Sequence, residues 1–389
     1  MRRLRRGAFR NALMSMVIIA SVVLAGCGVP RPVSVATEHP APTGGGCRTA
    51  RGPFQIVGAR MLGTDGRSYV PYGVSVSGLA NRDYQRYTAV DDAMIQATAN
   101  VWCSNTVRLQ VGQSNLVGDD GGTYSAPFME AVKAEVALAE RLHLVVVLNS
   151  QTANAGNQPG PTEASRAFWS DMVRVYGHDP QVVFDLFNEP RMKAATAAQS
   201  WDVWQRGGTV GGTSYLGMQD LVDDVRGAGA ANLLWIEGPF TATTLDAVRT
   251  HRITGPVVYV IHHPSGHHDS AAWTRDFGYL VEEGIAPVVD GEWTNYAAHR
   301  SECWPDAATA VPAYLAYLQR LGVGMTVWEL AQGRMIESSR LDDPTHIRSN
   351  YSCTDGLDQG AGALVLAWYR QQNATTSPTP TAASSGNGR

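Results

Sequence analysis

Val182-Val-Phe-Asp-Leu-Phe-Asn-Glu-Pro190 is an apolar run with one acid near its centre, ending on an amide, a second acid and a proline. Apolar residues on both alternating faces suit a strand buried on both sides, as in a parallel sheet covered by helices. A proline cannot donate to the sheet, so the strand stops there and leaves Asn188 and Glu189 at its C-terminal end.

Seven similar runs flank it: Tyr72-Gly-Val-Ser-Val, Asn105-Thr-Val-Arg-Leu, Leu144-Val-Val-Val-Leu, Asn232-Leu-Leu-Trp-Ile, Val257-Val-Tyr-Val-Ile, Ala286-Pro-Val-Val-Asp and Gly324-Met-Thr-Val-Trp. Helices are predicted between them at 127–142, 162–176, 216–228, 271–283, 311–321 and 361–371. In the first of these, Phe128, Val132, Val136 and Ala139 form one apolar stripe. Pro312 is expected in the first turn of its helix, where a missing N–H costs nothing. Alternating strands and helices over residues 50–372 predict an α/β fold, a (β/α)8 TIM barrel. A doubly wound parallel sheet is the alternative.

The composition agrees. Of 389 residues, 44% are hydrophobic and 17% charged, which suits a large packed domain and excludes a disordered chain. The 31 basic and 35 acidic side chains give a net charge of −4. Five of those arginines lie in the first ten residues, so the remainder carries 26 basic against 35 acidic groups. That sign repels phosphate backbones and argues against a nucleic-acid partner.

Those arginines precede an apolar stretch that ends at Leu24-Ala-Gly-Cys27, which reads as a signal peptide over residues 1–26. Leu-Ala-Gly-Cys resembles the bacterial lipobox, which implies lipidation of Cys27 and anchoring to the outer face of a bacterial membrane; an ordinary secretory signal is the alternative. Residues 27–49, rich in Pro and Gly, then form a tether, and residues 373–389, rich in Ser, Thr and Pro, a disordered tail. Cys47, Cys103, Cys303 and Cys353 remain, an even set that favours two disulfides in an exported protein, with three pairings open.

In a barrel, functional residues gather where strands end at their C-terminal side. Arg108, Asn188-Glu189, His262-His263, Glu292 and Trp328-Glu329 all stand there. Two carboxylates from different strand ends, Glu189 and Glu292, can flank one bond, one protonating the leaving oxygen and the other attacking carbon. His262, His263, His267 and His268 match no common zinc spacing, so no metal and no cofactor is expected. Trp201 and Trp204 fall in the loop region after the fourth strand and suit either sugar stacking or core packing. Glu237 and Glu329 also end strands, without an assignable role.

Asn-Glu-Pro after the fourth strand and Gly-Glu-Trp after the seventh resemble glycoside hydrolase family 5, the cellulase-like family of clan A, over residues 54–372. The resemblance implies Glu189 as acid/base and Glu292 as nucleophile. It also implies that Asn188 contacts the sugar 2-hydroxyl, that Arg108 holds the nucleophile, and that His262 and Trp328 line the reacting subsite. The chain departs from the family at Pro264, where a Tyr is usual two residues after His262, and at Asn149-Ser150-Gln151, where a His is usual. The expectation is a monomeric, retaining hydrolase of β-linked oligo- or polysaccharides. A transglycosylase of the same clan and a non-catalytic glycan-binding lipoprotein on the same barrel are the alternatives.

Overall fold

The computed structural model describes residues 46–152, 159–262, 269–294, 307–330, 335–336, 347 and 361–374. The signal segment, the lipobox, Cys303, Cys353, His263, Pro264, His267 and His268 lie outside them.

Each predicted run forms a strand: β1 (Tyr72–Val76), β2 (Thr106–Gly112), β3 (Val145–Gln151), β4 (Val182–Asp185), β5 (Leu234–Glu237), β6 (Val258–Ile261), β7 (Val288–Trp293) and β8 (Gly324–Val327). They pair in parallel, in chain order, and β8 closes on β1. The fold is a (β/α)8 barrel.

Two apolar layers follow from the two faces of each strand. One fills the barrel, where Val145, Val147, Val183, Trp235, Val258, Val260 and Val289 pack together. Phe54, Met61 and Tyr69 join them from a short hairpin (Gln55–Val57 and Arg60–Leu62) and its flanks, and the Tyr69 hydroxyl meets Thr106 Oγ1 at 2.9 Å, at the N-terminal end of β2. The other layer lies between strands and helices and includes Val146, Leu148, Phe184 and Ile236. Burying one such side chain contributes about 1.5–3 kcal/mol, so the two layers dominate stability.

The helices include α1 (Thr88–Asn100), α2 (Ala126–Arg141), α3 (Glu163–Tyr176), α4 (Ala197–Arg206), α5 (Met218–Gly227), α6 (Ala307–Leu321) and α7 (Gly362–Asn373). In α2 the Ser125 hydroxyl caps the Phe128 N–H, and the predicted stripe is buried, together with Glu135. The helix expected at 271–283 is interrupted by a π-helical turn over Thr274–Gly278.

Three expectations are corrected. Pro312 lies inside α6 rather than in its first turn, because the helix begins at Ala307. Trp201 and Trp204 belong to α4 and not to a loop; both are buried, and the Trp204 Nε1–H donates to the Glu237 carbonyl at 2.8 Å. They pack the core and present no stacking platform. Asn373, expected to open the tail, instead ends α7, and Ala374 pairs with Cys47. Cys47 is bonded to Cys103, which selects that pairing for two of the four cysteines.

Candidate active site

Alternation along β2 points Thr106, Arg108 and Gln110 into the barrel, and Arg108 is buried beneath the C-terminal mouth. A buried guanidinium is costly unless its donors are filled. Here Nε donates to Asp185 Oδ2 at 2.8 Å, Nη2 to Glu237 Oε1 and Asn188 Oδ1 at 2.8 Å each, and Nη1 to Glu292 Oε1 at 3.1 Å. One side chain from β2 thus ties together the ends of β4, β5 and β7.

Glu189 follows β4 with a backbone φ of 44°, a left-handed conformation that strains a residue with a Cβ. Its N–H donates to Glu237 Oε2 at 2.5 Å, and the preceding Asn188 N–H to the Ser150 carbonyl at 2.9 Å. The turn aims the carboxylate at His262, whose Nδ1 lies 3.0 Å from Glu189 Oε1 and 3.5 Å from Glu292 Oε2. The other ring nitrogen, Nε2, stands 3.3 Å from Glu237 Oε1. The His262 backbone N–H donates to the Ala242 carbonyl at 2.8 Å, fixing the ring's origin.

Glu292 stands at the β7 bulge, its side chain 12% exposed. Its Oε1 accepts from both Arg108 Nη1 and Gln110 Nε2, the latter at 2.6 Å. Ligand-type oxygens of Glu189 and Glu292 and a ring nitrogen of His262 all lie within 4.8 Å of one another. Glu189, Glu292, Arg108, Asn188 and His262 are therefore brought into one network. Trp328 stands half-buried just past β8, its N–H on the Trp293 carbonyl at 2.8 Å.

Burial pushes the Glu292 carboxyl up to about 7, although His262 and Arg108 both pull it down. Desolvation outweighs both attractions. Burial, followed by the charge of Glu237, likewise raises Asp185 to about 7. Burial opposes charge on His262, but Glu237 and Glu292 overcome it and hold the ring well above the ordinary imidazole range.

The pattern of residue types does not mark Gln110 or Asp185 and gives Glu237 no role. Strand alternation held the signal for two of them: Gln110 follows Arg108 by two residues and Asp185 follows Val183 by two, so each shares an inward face. Glu329 is buried and accepts from Ser77 Oγ at 3.1 Å. At the departure on β3, Asn149 is register neighbour to Gln110 and Asp185, while Ser150 Oγ bonds Gln113 on the outer face at 3.4 Å. Asn149 is fully buried, with neither amide atom hydrogen-bonded among the described residues.

The Glu189, His262 and Glu292 grouping also has the spacing of a three-ligand metal site. Its chemistry favours proton transfer, because Arg108 and a charged His262 already supply the positive charge that the carboxylates need.

A parallel eight-stranded barrel with two carboxylates facing each other at its C-terminal mouth is the architecture of TIM-barrel proteins built for acid–base chemistry. Residues 67–334 match Cellulase (glycosyl hydrolase family 5), and the chain belongs to that family. Endoglucanase N of Pectobacterium atrosepticum is 21% identical over 294 residues, covering 72% of this chain and 57% of its own. Endoglucanase C of Evansella cellulosilytica is 22% identical over 272 residues, covering 63% of this chain and 31% of its own. The chain spans about half or less of the length of these curated relatives. Among solved structures, a β-glucanase from Saccharophagus degradans superposes with a TM-score of 0.61 at 16% identity, covering 86% of this chain and 98% of its own. A β-mannanase from Thermomonospora fusca superposes with a TM-score of 0.54 at 18% identity, covering 76% and 91%. At these identities the fold is what is shared.

Proposed function

We propose that the chain is a retaining glycoside hydrolase that cleaves β-linked glycans by double displacement. The observation that carries this reading is the closeness of Glu189 and Glu292, with carboxylate oxygens within 4.8 Å. Retaining enzymes hold their two carboxyl groups about 5–5.5 Å apart, whereas inverting ones leave room for a water between them.

Glu292 is the nucleophile. Its Oε1 is filled by Gln110 and Arg108, so Oε2, 3.5 Å from His262 Nδ1, is the oxygen that attacks the anomeric carbon. As that bond forms, the bond to the leaving oxygen breaks, and Glu189 supplies the proton. Glu189 then takes a proton from water, the water oxygen attacks the same carbon, and Glu292 leaves as a carboxylate. Asn188, held through its Oδ1 by Arg108, presents its amide to the sugar 2-hydroxyl, and Trp328 offers an aromatic face beneath the sugar.

A β-glucan is the favoured substrate, because the similar chains are endoglucanases and the Saccharophagus β-glucanase was also solved with cellotetraose. The likeness to a β-mannanase keeps mannan as the second reading. The N-terminal sequence supports export and anchoring through Cys27; Cys27→Ser should release the protein from membranes or leave it misprocessed.

Azide rescue on an activated aryl glycoside tests the roles. Glu292→Ala should regain turnover with azide and give an inverted glycosyl azide. Glu189→Ala should give the retained one. Exchanged stereochemistry would reverse the assignment, and wild-type rates in both variants would refute it.

A further inference from the structure

Glu237 ends β5, its side chain fully buried, and the double displacement proposed above gives it no step. A lone carboxylate at such depth would take up a proton. This one accepts from two other elements, Arg108 Nη2 at 2.8 Å and the Glu189 backbone N–H at 2.5 Å, and His262 Nε2 stands 3.3 Å away as an ion-pair partner outside hydrogen-bond alignment. Its own backbone is pinned from α4 by Trp204.

We propose that Glu237 is a positioning residue for the reaction: it fixes His262 as a doubly protonated ring and Glu189 in its left-handed turn, so that one Nδ1–H serves Glu292 and Glu189 in turn. The inference rests on the double-displacement reading. In that reaction the negative charge moves between the two carboxylates. Glu292 is ionised before attack and becomes a neutral ester; Glu189 starts protonated and is ionised once it has protonated the leaving oxygen. His262 Nδ1 lies 3.5 Å from Glu292 Oε2 and 3.0 Å from Glu189 Oε1, so a shift of well under an ångström passes the donor from one to the other.

A neutral ring with its proton on Nε2, facing Glu237, would turn the Nδ1 lone pair toward both carboxylates and repel whichever is charged. A neutral ring with its proton on Nδ1 would instead turn the Nε2 lone pair toward Glu237, so a doubly protonated ring is the form that sets no lone pair against a carboxylate, with Glu237 as its counter-charge. Burial opposes ionisation of Glu237, but His262, Arg108 and the Glu189 N–H outweigh it and hold the carboxyl below its usual range. The other ionisable groups acting on the ring, among the described residues, are Glu292 from β7, Glu189 beyond β4, and Asp185 from β4. All are acids, and Arg108 is the neighbouring cation.

The test follows the His262 ring nitrogens by 15N NMR in the full chain, assigned through the signal lost in His262→Asn, for wild type and Glu237→Gln. Glu237→Gln keeps an oxygen for the Glu189 N–H and replaces Oε1, which faces Arg108 and His262, by an amide NH2, so it removes the charge together with that acceptor. The wild-type ring should stay doubly protonated through pH 8, and in Glu237→Gln it should lose a proton at least one pH unit lower. In parallel, kcat/KM of Glu237→Gln should fall at least tenfold on the alkaline side and less on the acid side, with kcat changing more than KM.

A neutral wild-type ring at pH 7 overturns the proposal without needing any variant to fold. So does a Glu237→Gln profile that coincides with wild type, or one lowered equally at every pH. If wild type hydrolyses no β-glycan, the reaction reading fails and the shared-donor role with it, while the NMR titration still reports whether Glu237 holds the ring charged. The two failures are thereby told apart.

Discussion

Gln110 donates its side-chain amide to Glu292 at 2.6 Å, on the same oxygen that receives Arg108. A hydrogen bond to a charged group contributes about 1.5–3 kcal/mol, and this one is made to the proposed nucleophile. Gln110→Leu should therefore lower kcat/KM roughly 10- to 100-fold while leaving the melting temperature nearly unchanged. Steady-state kinetics on an aryl glycoside checks it; an unaltered kcat/KM would show that Arg108 alone sets the carboxylate.

The pH–rate profile should show Glu292 directly. A nucleophile must be ionised, and burial holds this carboxyl at about 7 in the free protein. The acid limb of kcat/KM should bend near neutrality, with activity falling as pH drops through that value. An acid limb at the ordinary carboxylate range, well below 6, would mean that substrate-free Glu292 is better solvated than its surroundings indicate.

A second buried acid pair governs stability. Asp91 on α1 and Glu135 on α2 are both buried, and each has an oxygen without a conventional donor. Gly78 admits this arrangement, since a Cβ there would lie 1.8 Å from Asp91 Oδ2. Burial pushes Asp91 up to about 7 despite its bond to Glu135, and Glu329 adds to the rise. Burial and then Asp91 raise Glu135 well above its usual range. A proton shared between the two carboxyls would account for both shifts. A pKa raised on folding gives stability that is complete below the unfolded value near 4 and is lost as pH climbs through the folded one. Asp91→Asn should thus gain on wild type between pH 5 and 8 in thermal melts. A constant difference across that range would contradict the shared proton.

The Cys47–Cys103 bond ties the segment before the barrel to the residues just ahead of β2 across 56 residues. Cross-links of this span stabilise by about 2–5 kcal/mol. Cys103→Ala should lower unfolding free energy in denaturant titrations by an amount in that range, and both thiols should resist alkylation until reduced. Fast labelling of Cys47 in the native, unreduced protein would contradict the bond.

The strands were legible because a parallel barrel buries both faces of each strand. Val258-Tyr-Val-Ile261 and its equivalents stand out as apolar runs whose ends are fixed by the first polar residue that the mouth needs. α4 was not legible: Trp201 and Trp204 lie three residues apart in a stretch of mixed character, and a capping box at Thr196 and Gln199 supplied the start signal. For the site, the two glutamates and Arg108 were visible as charges at strand ends. Gln110 was not, because an uncharged amide inside an apolar strand carries no mark until its face is known. Nor was the sign of the Glu292 shift, which depends on how far burial outweighs Arg108 and His262.

The claim at the centre is that Glu292 attacks the anomeric carbon and Glu189 handles the proton. Incubation with an activated 2-deoxy-2-fluoro-β-glycoside, followed by intact mass and peptide mapping, tests it most directly. One fluoroglycosyl unit per chain, esterified to Glu292, is expected, with the same adduct forming in Glu189→Ala when the leaving group is good. Label on Glu189, or on no residue while the substrate is still turned over, would contradict it.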